Sequence, residues 1–276
     1  MRSNFLIPII LWLPRGYELT IVSSKEMIEE SMPGWSGQIE RYAQVMCDGK
    51  VLEENTLTAD VVDGKIVSDW PDHYSCAAGK DPGWPADGGF LEFGIRSVDD
   101  SPAFSTKRLP GAYNIFTGDG VKSFVICQTW KFGSPQVITQ IAALGRYVDA
   151  YSVIHIDFDK DIGDSLVLIN PYLKPIVAEI VALGHQKLPR IRIAPHTAKR
   201  IDLATLVPEG ARAWQGAVQL SANNRLVTQI VKHSVKNPDI LTTVEHLDPF
   251  RGDPTHMPAF QTLRNVVGDW LKSRRG

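Results

Sequence analysis

The sequence predicts a mainly β protein: two antiparallel β-sandwich modules, immunoglobulin-like or jelly-roll-like, followed by a C-terminal amphipathic helix. Three observations carry this. Ile191 and Ile193 alternate with Arg190 and Arg192, and Val218 and Leu220 with Gln219 and Ser221, so short segments present one apolar and one wet face. Asp-Gly pairs stand between apolar runs at Asp63-Gly64 and Asp119-Gly120, where glycine supplies the positive φ of a tight hairpin turn. Finally, about seven short strands follow one another at regular spacing from Tyr151 to Glu245, the density a sandwich requires.

Taken in order, Phe5–Leu13 reads as an early strand, with a truncated or vestigial export signal as the rival reading. It resembles the apolar part of an export signal only superficially, because Pro8 interrupts it and no small-x-small cleavage pattern follows. It is also too short to span a bilayer, and no transmembrane segment is expected. Ser24–Ser31 is a short helical candidate. Arg41–Met46, Thr56–Val62 and Lys65–Ser68 are strands, the last two joined by the Asp63-Gly64 turn. The stretch Asp69–Gly89, rich in Pro, Gly, Asp and aromatic residues, reads as a long functional loop before the strand Phe90–Val98. Ala112–Phe116 and Val121–Cys127 flank the second Asp-Gly turn.

The second half is more regular. Tyr151–Phe158, Ser165–Asn170, Ile176–Leu183, Leu188–Ala194, Ala217–Ala222, Leu226–His233 and Ile240–Glu245 are strands, and Ile201–Leu206 fits either a strand end or one helical turn. Leu166–Ile169 and Ile176–Leu183 are apolar at successive positions, so both faces of each need cover, from the chain itself or from copies of it. Phe260, Leu263, Val266, Val267, Trp270 and Leu271 recur at spacings of three and four, one stripe on a helix entered through Thr255 and Pro258. The division that follows is a β domain over 1–149 with its aromatic loop at 69–89, a regular sandwich over 150–250, and a loop and helix over 251–276 packing on a sandwich.

Composition excludes more than it selects. In 276 residues, 29 basic and 31 acidic side chains nearly cancel, and no basic stripe tracks a phosphate backbone, so a nucleic-acid partner is not expected. Cys47, Cys76 and Cys127 are far apart with no Cys-x-x-Cys pair, which argues against a zinc knuckle; one disulfide plus a free thiol fits the count, and the lack of a framework leans towards a reducing, cytoplasmic compartment or towards buried, inert thiols.

Chemistry has three places to reside. Trp70, His73, Tyr74 and Trp84 place indole and phenol rings beside carboxylates, suited to stacking on a sugar or another flat ligand, or else to plugging the sandwich end. His155, Asp157 and Asp159 share one face of a strand by period-two geometry, an imidazole-and-carboxylate set for a divalent metal or simply a wet sheet face. His246, Asp248 and His256 lie in a loop rich in Pro and Gly, a second candidate set for a metal. No Gly-x-Ser-x-Gly elbow, phosphate loop or His-Glu-x-x-His occurs. The leading reading is a non-catalytic protein that binds a small molecule, saccharide or protein partner through end loops. The alternatives are a metal-dependent β-sandwich or barrel enzyme and a self-assembling homo-oligomeric component.

Overall fold

The computed structural model describes residues 9–30, 32–98, 112–118, 124–128, 147–182, 188–223 and 226–246. It is mainly β, and every strand pairing in it is antiparallel. Among the described residues no helix is long and apolar enough to cross a membrane. The C-terminal helix over 260–271 lies outside the described residues.

The first half contributes β1 (Ile9–Leu13), β2 (Tyr17–Val22), the short helix α1 (Lys25–Glu29), β3 (Gly37–Cys47), β4 (Lys50–Val62), β5 (Lys65–Ile66), β6 (His73–Cys76), β7 (Gly89–Ser97), β8 (Ala112–Gly118) and β9 (Phe124–Gln128). They form two sheets, ordered β1-β7-β3-β4-β5 and β6-β2-β8-β9. The first expected hairpin is present with its turn, and the strands flanking the second are paired. Asp63 and Gly64 turn β4 into β5 with φ of 48° and 77°, and β8 pairs with β9 across the second Asp-Gly site, whose turn residues lie outside the described set. A third tight turn, Asp48-Gly49, joins β3 to β4 with the same pair of left-handed residues.

The second half supplies β10 (Tyr147–Asp157), β11 (Gly163–Asn170), β12 (Ile176–Ala182), β13 (Ile191–Ile193), β14 (Thr197–Asp202), β15 (Ala213–Ala222), β16 (Val227–His233) and β17 (Leu241–His246). Leu203–Leu206 is a 3₁₀ turn capped by the Asp202 carboxylate, which accepts the Ala204 N–H at 2.9 Å. That settles the ambiguous segment: β14 ends at the cap and one tight turn follows. The strands form sheets ordered β10-β15-β12-β13 and β14-β11-β16-β17.

Period-two burial positions everything else. Leu11, Leu13, Ile39, Ala43, Val45, Leu91, Phe93 and Ile95 of the first sheet share a core with Leu19, Ile21, Tyr74 and Cys76 of the second. The same core takes Val167, Ile169, Ala198, Val231, Leu241 and Val244 from the β14-β11-β16-β17 sheet. The other face of that sheet, through Leu166, Leu168 and Ile230, meets Ile154, Ile156, Ile180, Val218 and Leu220 in a second core. Every residue of β11 is therefore buried, and the apolar run Leu166–Ile169 is covered on both faces from within the chain. β12 behaves differently: its burial alternates, with Val177, Glu179 and Val181 half-exposed. Each fully buried Leu, Ile or Val of the two cores contributes about 1.5–3 kcal/mol by leaving water.

Candidate functional site

The stretch read as one long loop is in fact built. Within it, β6 pairs with β2 (Ile21 opposite Tyr74, Leu19 opposite Cys76), and Ala78–Lys80 makes a 3₁₀ turn. β6 carries the chain along the sheet, so the aromatic residues on either side of it end up apart. Trp84 is anchored beside the β1 terminus, its Nε1 donating to the Leu13 carbonyl at 2.9 Å. Trp70 sits where β2 ends, its Nε1 donating to the Ser23 carbonyl at 3.2 Å. Trp70, Tyr74 and Trp84 are buried in the first core, while His73 is exposed on the opposite face of β6. The structure thus groups Trp70 with Tyr74 and leaves Trp84 elsewhere.

What gathers around Trp70 is more polar than the sequence suggested. Arg41 falls between Ile39 and Ala43 on the inward face of β3, and only 6% of it is exposed. Its guanidinium lies over the Trp70 ring, 5.3 Å from the centroid, and Nη1 donates to the Pro71 carbonyl at 2.9 Å. Burial pulls the guanidinium below its ordinary range, and the nearby Tyr74 phenol opposes that pull. Tyr74 is held above the ordinary phenol range, first by burial and then by its neighbours Cys76 and Glu53, whose ionised forms oppose a phenolate. Its ring stacks at a tilt on Phe93, centroids 5.8 Å apart. The Tyr74 hydroxyl and the Ser23 hydroxyl are both buried and make no hydrogen bond among the described residues. Buried polar groups nearly always find partners, so two orphan hydroxyls near one buried cation mark this as the candidate site. Sequence reasoning found Trp70 and Tyr74 but missed Arg41 and Ser23. The only signal was Arg41 occupying an apolar phase of β3.

The strand face at His155 is placed as follows. The His155 ring is half-buried, and its backbone N–H donates to the Asp164 carboxylate at 2.8 Å. Asp157 turns into its own hairpin turn, accepting the N–H groups of Asp159 and Lys160 at 3.1 and 2.9 Å and pairing with Lys160 Nζ at 3.2 Å. The Lys160 N–H above all holds the Asp157 carboxyl below the ordinary range. Asp159 is drawn away to Arg212 at 2.5 Å. Among the described residues no three His, Cys, Asp or Glu side chains group to hold a metal. His246 ends β17 opposite Gln229, and Asp248 and His256 lie outside the described residues. Cys47 and Cys76 are buried thiols pushed up to about 11, mainly by desolvation, which leaves them protonated and unreactive near neutrality.

One serine–imidazole pair emerges that no motif announced. Ser165 Oγ lies 2.8 Å from His233 Nε2, and His233 Nδ1 lies 2.9 Å from the Ser234 carbonyl. Since a carbonyl only accepts, Nδ1 carries the proton and Nε2 accepts from the serine hydroxyl. Arg200 Nε donates to the same Oγ at 3.3 Å. Ser165 is fully buried and its hydroxyl is occupied on both sides, so the pair serves as a satisfied polar relay inside the fold.

Burial, helped by Arg200, keeps the His233 imidazole below the ordinary histidine range against the pull of Asp202 and Asp164. The unfolded chain therefore binds this proton more readily than the folded one, and stability declines as pH drops from about 6.5 towards the depressed folded value. Urea midpoints of the wild type should fall between pH 7.5 and pH 5. A His233→Gln variant should be flatter over that range, and an identical slope in both would remove His233 as the source.

No protein-family model matches the sequence, and no curated protein matches it. One solved structure, the regulatory domain of Toxoplasma gondii PKA crystallised with cAMP, aligns over 81% of this chain and 76% of its own length at 11% identity. Its TM-score of 0.13 is too low for the likeness to carry an argument.

Proposed function

We propose that the protein is a non-catalytic β protein that binds a small ligand between its first two sheets, at the end covered by Trp70. One observation carries this reading: Arg41, Ser23 and Tyr74 are buried beside an apolar core, and the two hydroxyls have no partner among the described residues. A core selected only for stability would place apolar groups at such positions, because each unmet hydrogen bond costs about 1–3 kcal/mol. Preformed ligand sites have this composition, mostly apolar and aromatic walls with a few convergent polar groups. The stacked Arg41–Trp70 pair offers both in one place.

Nuclear magnetic resonance with a fragment library provides the test. Binders should shift the indole N–H of Trp70 and the side-chain resonances of Arg41, and Trp70→Ala should abolish those shifts while the Trp84 indole signal keeps its position. Binders that perturb only residues remote from β3 and β6 would sink the reading.

A further inference from the structure

We propose that the Arg41 site takes the carboxylate of a small, flat monoanion, which completes the hydrogen bonding that Arg41, Ser23 and Tyr74 leave open. This deepens the ligand-binding reading and rests on it. The first reason is charge. Arg41 is a buried cation, and no carboxylate among the described residues pairs with it; its one hydrogen bond goes to a neutral carbonyl. A buried charge is costly unless paired, and neither a neutral nor a cationic ligand would balance this one.

The second reason is the donor set. Among the described residues Nη1 bonds only the Pro71 carbonyl, and the buried hydroxyls of Ser23 and Tyr74 have no partner. A carboxylate accepts at two oxygens through about four lone-pair directions and meets the guanidinium edge in a bidentate pair. The guanidinium carbon lies 5.3 Å from the Trp70 ring centroid, and this indole beside the cation favours a flat group that can extend along it.

The third reason separates carboxylate from phosphate. A single cation balances a single negative charge. A phosphate dianion would bury a second charge with no counter-ion, in a place where Glu53 already acts on Tyr74 as a like charge. Arg41, Trp70 and Tyr74 retain 6%, 6% and 7% exposure.

The experiment titrates benzoate, benzyl alcohol and inorganic phosphate into the full chain at constant ionic strength. Thermal midpoints and the Trp70 indole resonance are followed in the wild type, Arg41→Met, Arg41→Lys and Tyr74→Phe. Benzoate should raise the wild-type midpoint saturably while phosphate does not. Arg41→Met should stay folded and lose the response, and Tyr74→Phe should weaken the benzoate Kd roughly tenfold, the value of one charge-assisted hydrogen bond. Should Arg41→Met not fold, Arg41→Lys, which keeps the charge but not the fork, should still lose most of the response. Benzoate acting equally on wild type and both Arg41 variants overturns the proposal, as does phosphate acting alone. If benzyl alcohol moves the Trp70 signal and benzoate binds no better, the carboxylate assignment fails while the ligand-binding reading survives. If neither aromatic compound moves it, both fail.

Discussion

Trp12→Ala should cost about 3–5 kcal/mol, the range for removing a large buried aromatic side chain, and it should weaken both halves of the chain together. Trp12 is 1% exposed on β1, yet its surroundings are drawn from distant parts of the sequence. Its Nε1 donates to the Asp87 carbonyl at 2.8 Å, its backbone N–H donates to Gln229 Oε1 on β16 at 3.2 Å, and the Arg200 guanidinium of β14 lies 5.8 Å from its ring. Arg200 in turn reaches the Pro238 carbonyl and the Ser165 hydroxyl, and Lys199 pairs with Asp87. Truncation opens a cavity, strips the cover from Arg200 and leaves the Asp87 carbonyl without its indole donor. Domain stabilities are commonly only 5–15 kcal/mol, so the loss is a large share of the total. Hydrogen exchange should speed up in β1 and β7 and also in β11 and β16, and Trp12→Phe should recover more than half of the stability. Faster exchange confined to residues 9–98 would show that the shared core does not couple the halves.

That coupling is what local pattern could not reveal. The alternation at Val218 and Leu220 is legible because a strand with one wet face writes its burial directly into the sequence, and both residues are fully buried. The Asp63-Gly64 hairpin is legible because positive φ is a local demand met by few residue types. β11 gives an apolar run and nothing more: the run says that both faces need cover, while the identity of the covering layer depends on residues far away, such as Leu241 and Val244 on one side and Val218 and Leu220 on the other. Arg41 illustrates the same limit at the candidate site. In sequence it is the polar start of a short strand, and only the packing of β2 and β6 against β3 makes it a buried cation. Trp70 and Trp84 mislead in the opposite direction, since closeness in sequence suggested one cluster where the intervening strand β6 sets them apart.

Asp164 provides the second large effect, and it tests how the two layers of the second core are joined. Its carboxylate is fully buried on β11, where it accepts the backbone N–H of His155 from β10 at 2.8 Å and faces Lys232 Nζ of β16 at 3.2 and 3.3 Å. One side chain therefore holds a cross-strand partner in its own sheet and a backbone group in the facing sheet. The β10–β15 register shifts between Tyr151 and Ile154, immediately before that backbone N–H. Asp164→Ala should cost about 2–4 kcal/mol, since it orphans a buried donor and removes the counter-ion of Lys232. The upper part of the range for a broken buried pair is not reached, because the Lys232 side chain is 31% exposed and can turn to water. Asp164→Asn keeps an acceptor for His155 and should cost about half as much, while Lys232→Met, which leaves the carboxylate buried without its cation, should cost about 3–5 kcal/mol. Equilibrium urea unfolding of the three variants gives the order. If Asn proves as damaging as Ala, the ion pair with Lys232 rather than the bridge to His155 is what joins β11 to its neighbours.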